Sequence, residues 1–235
     1  MISFLFEYNF LLLSLLFLVP GLVILLLRKD LREPILLMSL ASIPFAFTEY
    51  LFYPNYWEPK FLWNLIDKIG FGIEDIIFVI GLASFSSTAY SFTFRFQYKK
   101  GNAINRLNQI KRITILFSFV LLFLAGVLIF ELAIIYGSIF IMLGLSLFIF
   151  SQRYDLIVPA LLGGCICCLI YTLLCVVLMF IYPSIFEITW HTDKFLNLYF
   201  FGLPFEELLY GYSSGFIATI FYPYVSNSYF EKINK

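Results

Sequence analysis

The stretch Gly202-Leu203-Pro204-Phe205-Glu206-Glu207-Leu208-Leu209-Tyr210 sets two adjacent carboxylates directly before an apolar run, Leu208 to Val225. Such a run approaches the length that a membrane-spanning helix needs. Pro204 stands two residues ahead of the pair, where a helix tolerates proline because its first N–H groups have no partner in any case. Acids in the first turn also complement the positive end of the helix dipole. Taken alone, the stretch therefore reads equally well as an ordinary helix start. A second copy changes that reading: Gly70-Phe71-Gly72-Ile73-Glu74-Asp75-Ile76-Ile77-Phe78 has the same form and again opens an apolar run. Ionisable groups at the mouth of a membrane helix are costly, and two such pairs in one chain point to function.

Of the 235 residues, 62% are hydrophobic and 13% charged, with a mean hydropathy of +0.94. Soluble domains are about 45–50% apolar with roughly a quarter of their residues charged, so the chain reads as an all-α integral membrane protein. Its net charge is zero, and no nucleic-acid partner is expected. Cys165, Cys167, Cys168 and Cys175 share one apolar run and the single histidine is His191, which argues against both a disulfide framework and a metal site. Gly70-x-Gly72 lacks the third glycine of a dinucleotide fingerprint and does not follow a strand. No cofactor is expected. The positive charges Arg28, Lys29 and Arg32 follow the first apolar run rather than precede it, unlike a signal peptide.

Seven apolar segments are predicted to span the bilayer: roughly 9–27, 34–53, 73–94, 112–130, 132–150, 156–181 and 205–225. Pro20-Gly21 is expected as a kink in the first. Twelve Lys and Arg residues fall on one side of this arrangement, while Lys60, Lys68 and Lys194 fall on the other. The positive-inside rule then puts the N-terminus outside and the C-terminus in the cytoplasm, with both acidic pairs near the outer face of the cell membrane.

The duplication extends beyond the acids. Arg28-Lys29-Asp30-Leu31-Arg32-Glu33-Pro34 recurs as Arg153-Tyr154-Asp155-Leu156-Ile157-Val158-Pro159, and Tyr53-Pro54 as Tyr182-Pro183. Residues 1–94 and 132–235 read as two three-helix repeats, with 95–131 as a basic loop and one linking helix. An odd number of linking helices makes the copies run parallel. Small-residue stripes from Glu207 through Gly211, Ser214 and Ala218, and from Glu74 through Gly81, Ser84 and Thr88, favour close helix packing. Trp57 and Trp190, in the outer loops, are expected as interfacial anchors, and His191 as a surface loop residue.

Thr48-Glu49-Tyr50-Leu51-Phe52-Tyr53, then Trp57, then the first acidic stretch, together with Leu203-Pro204-Phe205-Glu206-Glu207, resemble the membrane-embedded lycopene cyclases of actinobacteria, archaea and fungi. That family is built as two fused or heterodimeric three-helix units, each with a P-x-E-E-type signature opening a helix. Gly72 stands here in place of the first proline, Asp75 in place of the second Glu, and Glu49 in place of an aspartate. The counterpart region of the second half, Leu173 to Ile181, is wholly apolar. The resemblance implies an intramolecular lyase, an isomerase of carotenoid biosynthesis that closes the linear end of lycopene into a β-ionone ring without net redox change. The chemistry needs an acid to protonate an alkene and a base to remove a ring proton. Glu206, Glu207, Glu74 and Asp75 are the candidate acid/base set, with Glu49 as a supporting base. Phe78, Tyr210 and Tyr212 are the candidates to face a carbocation. The expected partners are a hydrophobic polyene or isoprenoid arriving from the bilayer, and membrane lipid. A diverged enzyme of another isoprenoid, and a transporter or lipid-binding protein, remain the alternatives.

Overall fold

The computed structural model describes residues 7–101, 106–192 and 196–233. Asp193, Lys194 and Lys235, part of the outer-loop and charge reading, lie outside the described residues. Seven long helices form near the expected segments: α1 (Asn9–Leu27), α2 (Arg32–Ser42), α3 (Ile73–Ser86), α4 (Arg106–Ile129), α5 (Ile134–Phe150), α6 (Ile157–Ile181) and α7 (Phe205–Ser226). Among the described residues, five helical stretches are long and apolar enough to cross a membrane: Asn9–Leu27, Lys29–Phe52, Ile73–Phe94, Arg106–Ile129 and Tyr154–Ile181. The chain is thus an all-α membrane protein in the main. α5 is a shorter apolar helix of 17 residues, and α7 carries the second acidic pair in its first turn.

Pro20 is absorbed within α1, but two expected spans are interrupted. The second, expected as one helix to residue 53, leaves α-geometry after Ser42. It runs on as a 3-10 segment, Ile43–Thr48, and a helical turn, Glu49–Phe52. Pro44 has no N–H to give to the ladder, and the tightened segment re-aims Glu49. The third breaks at Ser87 and Thr88 before a last helical stretch, Ala89–Phe94. There the Ser84, Ser87 and Thr88 hydroxyls donate back to the carbonyls of Gly81 (2.6 Å), Ser84 (3.3 Å) and Ser84 (2.9 Å). Such back-bonding competes with the helical ladder.

α3 and α7 form the centre of the bundle and touch each other. α1 and α2 pack on α3, α5 and α6 pack on α7, and α1 also meets α6. Glycines set these close approaches. A Cβ on Gly81 would stand 2.7 Å from the carbonyl carbon of Phe17 in α1, and one on Gly215 would stand 2.2 Å from Cys167 Cβ in α6. α4 lies outside this core, against α5 and α7, with Leu116 and Val127 as its buried residues.

The basic end of the bundle departs from the expected loop and tail. Phe96–Lys100 (β1) pairs antiparallel with Ser228–Lys232, the strand that follows α7. The two R-x-D-L-x-x-P loops hold these strands in the same way. Arg28 grips Asp30 at 2.8 and 2.7 Å and donates to Phe96 O at 2.6 Å. Arg153 grips Asp155 at 2.7 Å through two nitrogens and donates to Ser228 O at 3.0 Å. At the other end Tyr199–Phe200 (β2) pairs with Leu203–Pro204 (β3). The strand after α7 is therefore β4.

Gly81→Ala places a methyl group against backbone that cannot swing aside, and overpacking of this kind costs about 1–3 kcal/mol. Gly126 of α4 has nothing within 4 Å of its Cβ position, so Gly126→Ala is expected to stabilise its helix by about 0.5–1 kcal/mol. Thermal unfolding in detergent should lower the midpoint for the first variant and leave it equal or higher for the second.

Candidate active site

Each acidic pair is delivered by the same backbone device. Gly70 (φ 81°) and Gly202 (φ 79°) occupy the left-handed region, which glycine enters without steric cost. Two residues on, Gly72 and Pro204 are extended and act as N-caps of α3 and α7. The acids follow in the first turn, where neighbours point about 100° apart, and the members of each pair accordingly go to different places.

The first acid of each pair holds the loop that precedes it. Glu74, fully buried, accepts the Leu62 N–H at 2.7 Å. Glu206, 1% exposed, accepts the Leu196 N–H at 3.0 Å and the Tyr136 hydroxyl at 2.6 Å. The second acid of each pair, Asp75 or Glu207, lines a cavity between the two halves, and Glu49 lines it too. Its apolar wall includes Phe10, Leu13, Phe52, Phe78, Val79 and Ile135.

The carboxyls in the cavity are matched by aromatic donors. Glu207 accepts from the Tyr56 and Tyr171 hydroxyls and from Trp190 Nε1 at 2.9 Å. Glu49 accepts from Trp57 Nε1 at 2.7 Å, and the Asp75 carboxyl lines the same cavity. Burial, and next the nearby Glu207 charge, push the Tyr56 phenol well above its ordinary value, so this loop residue stays protonated and donating.

The two copies differ because of the residue before the helix. The Gly72 N–H donates to Asp75 Oδ2 at 2.6 Å, which caps the helix and partly occupies that carboxylate. Pro204 has no N–H to offer, and Glu207 turns wholly to the cavity. A side chain at position 72 would meet Phe61 at 2.4 Å and Glu74 Oε2 at 2.5 Å. Aligning Tyr53-Pro54 with Tyr182-Pro183 sets buried Leu178 opposite Glu49, so the second half supplies no fourth acid.

The candidate residues therefore separate. Glu207, Asp75, Glu49, Phe78 and Tyr210 come together in the cavity, whereas Glu74 and Glu206 sit behind it. Tyr212 does not line it; its ring packs 5.6 Å from Phe216, and Gly164 of α6 abuts it. The interfacial role expected for Trp57 and Trp190 is corrected. They are 8% and 6% exposed, their rings lie 5.0 Å apart, and each donates to a cavity acid. They meet because the outer loops pair across the halves, Glu58 N to Thr189 O at 2.8 Å and His191 N to Tyr56 O at 2.9 Å. His191 itself lies partly exposed, 3.8 Å from Glu58. Tyr56 and Tyr171 were missed; the one signal for Tyr171 was a phenol in an otherwise apolar run.

Residues 133–225, which take in α5, α6 and nearly all of α7, match the family model described as lycopene cyclase. Over those residues the chain is similar to the lycopene cyclase family. No curated protein and no solved structure matches the chain. The lycopene cyclase match covers Tyr171, Trp190, Glu206, Glu207 and Tyr210, while Glu49, Tyr56, Trp57 and Asp75 reach the same cavity from outside the matched range.

Glu206→Ala leaves the Leu196 N–H and the Tyr136 hydroxyl without their acceptor, at a cost of about 1–3 kcal/mol. Glu206→Gln keeps a carbonyl oxygen in place. Hydrogen exchange at the Leu196 amide is expected to speed up at least about tenfold in the alanine variant and to stay near wild type in the glutamine variant.

Proposed function

We infer that this chain is a carotenoid cyclase that converts the linear end group of lycopene into a β-ionone ring, an intramolecular lyase reaction with no net redox change. The observation that carries this reading is the convergence of Glu49, Asp75 and Glu207, with four aromatic donors, on one apolar-walled cavity. The lycopene cyclase family match gives independent support for carotenoid cyclisation in general.

The hydrogen-bond pattern suggests how the acids divide the work. Two carboxyls of one half that line the same buried, apolar-walled cavity cannot both ionise cheaply, so the Glu49–Asp75 pair is the proton donor. Glu207 receives donors on both oxygens, the pattern that suits a carboxylate, and acts as the base. A proton delivered to the terminal alkene leaves a tertiary cation on the adjacent carbon. The π electrons of the next double bond then close the six-membered ring and move the positive charge into it. Loss of a ring proton to Glu207 forms the ring double bond, so atoms and electrons balance without an oxidant. Phe10, Phe78 and Tyr210 offer aromatic faces to the cation.

The arrangement in the membrane belongs to the same proposal. Two parallel three-helix repeats, 1–94 and 132–235, flank the linking segment 95–131, with the N-terminus outside and the C-terminus in the cytoplasm of a cell-membrane protein. The matched Arg28–Asp30 and Arg153–Asp155 clamps support the duplication. The polyene arrives sideways from the bilayer, in keeping with the apolar cavity wall.

Pigment analysis in a bacterium engineered to accumulate lycopene tests the reading. The wild-type chain is expected to yield cyclised carotene. Glu207→Gln, Asp75→Asn and Glu49→Gln should each cut the yield by about 10²-fold or more, the usual worth of a positioned acid or base. Glu74→Gln and Glu206→Gln, which keep an acceptor for their loops, should retain most of it. Unchanged lycopene with wild-type protein verified in the membrane would remove lycopene as the substrate.

A further inference from the structure

A second cavity lies at the basic end of the bundle, between the foot of α4 and the end of α7. It is lined by Asn108, Lys111, Arg112, Gln152, Tyr224 and Asn227, with Ile115 at its upper edge. Among the described residues, no carboxylate lines it. Asp30, Asp155 and Glu231, acids at this end of the bundle, are held by Arg28, Arg153 and Lys99. Neither Lys111 nor Arg112 meets a carboxylate among the described residues. Arg112 is nonetheless fixed in place: it donates to the Tyr224 carbonyl, its guanidinium lies 4.8 Å from the centre of the Tyr224 ring, and the Tyr224 hydroxyl donates to Gln152 Oε1 at 2.9 Å.

The surface above this pocket is apolar. Ile115, Leu122 and Ile129 are 48%, 72% and 75% exposed. Spaced seven residues apart, they form one stripe along α4, leading from the pocket into the depth of the bilayer. A preformed cationic and amide-lined pocket at the membrane boundary, continuous with an apolar helix face, matches a molecule with an anionic phosphodiester head and alkyl chains.

We propose that this pocket binds the headgroup of an anionic phospholipid, with its chains laid along α4. A lipid held here bridges the linking helix to α7, which carries Glu207, and so fastens the one long helix that lies outside the central packing. Lys111 supplies an exposed point charge. Arg112 supplies the oriented one, and Asn108, Gln152 and Asn227 supply polar contacts around the phosphate.

The test is thermal unfolding of the full chain in non-ionic detergent, titrated with phosphatidylglycerol, phosphatidylcholine or inorganic phosphate. Phosphatidylglycerol is expected to raise the midpoint saturably, and the other two are not. Lys111 is exposed and forms no ion pair among the described residues, so Lys111→Gln should fold and bind phosphatidylglycerol about fivefold more weakly, the worth of one basic residue near an anionic surface. Lys29→Gln, an exposed basic residue at the same end but outside the pocket, should bind as wild type. Equal stabilisation by phosphatidylcholine, no change in Lys111→Gln, or an equal loss in Lys29→Gln would overturn the proposal. Stabilisation by phosphate alone to the same extent would reduce the pocket to a free-anion site and overturn the lipid assignment.

Discussion

A carboxyl group inside a bundle of apolar helices is stable only where the fold itself brings hydrogen-bond donors to it, because hydrocarbon supplies none. This requirement organises the end of the bundle that carries the acids. Glu207 takes donors from an outer loop of each half and from α6, namely Tyr56, Trp190 and Tyr171. Glu49 takes Trp57 from the first outer loop. The donors are phenols and indoles, whose rings add apolar wall while their polar tips serve the acids. The same side chains thus keep the cavity greasy and its charges solvated.

Similar loops supply these donors in pairs, and single-residue differences between the two acidic stretches explain why the acids are not equivalent. Trp57 and Trp190 come from corresponding loops and meet near the boundary between the halves. Glycine at position 72 retains an N–H that ties down Asp75, whereas proline at 204 removes it. Leu178 stands where the first half has Glu49. Three cavity acids result, two near each other from one half and one opposite from the other. Near-symmetry of the backbone has been turned into an asymmetric arrangement of charge.

Much of the frame was legible because it rests on local rules. Apolar runs located all seven helices near their observed positions, and the doubled R-x-D-L-x-x-P stretches located the two loops that clamp the strands. The interruptions of α2 and α3 were not read, since they depend on how Pro44 and the Ser84–Thr88 hydroxyls compete with the ladder within an apolar run. The strands β1 and β4 were hidden for a different reason: neither makes sense until the other stands beside it, Phe96 facing Lys232 and Lys100 facing Ser228. Trp57 and Trp190 looked like interfacial anchors because composition reports a residue's depth and not its neighbour. Tyr212 looked like a cavity residue because it is near Glu207 in sequence; the helix turns its ring toward Gly164 and Phe216 instead.

The sharpest consequence concerns the adjacent acids themselves. Two carboxyls side by side on a helix cannot share one direction, so a doubled acid at a helix mouth need not mean a doubled active group. Here one member of each pair faces back to the loop and fixes it through a backbone N–H, at Leu62 or Leu196. Those same loops carry the indoles that reach the cavity acids. The loop-holding acid therefore acts on the cavity only through the loop, and any polar acceptor of similar shape can take its place. The cavity acid has no such substitute for moving a proton, since an amide keeps the shape and one accepting oxygen but neither gives nor takes a proton near neutral pH. Charge removal with shape retained separates the two roles, which adjacency in sequence makes look the same.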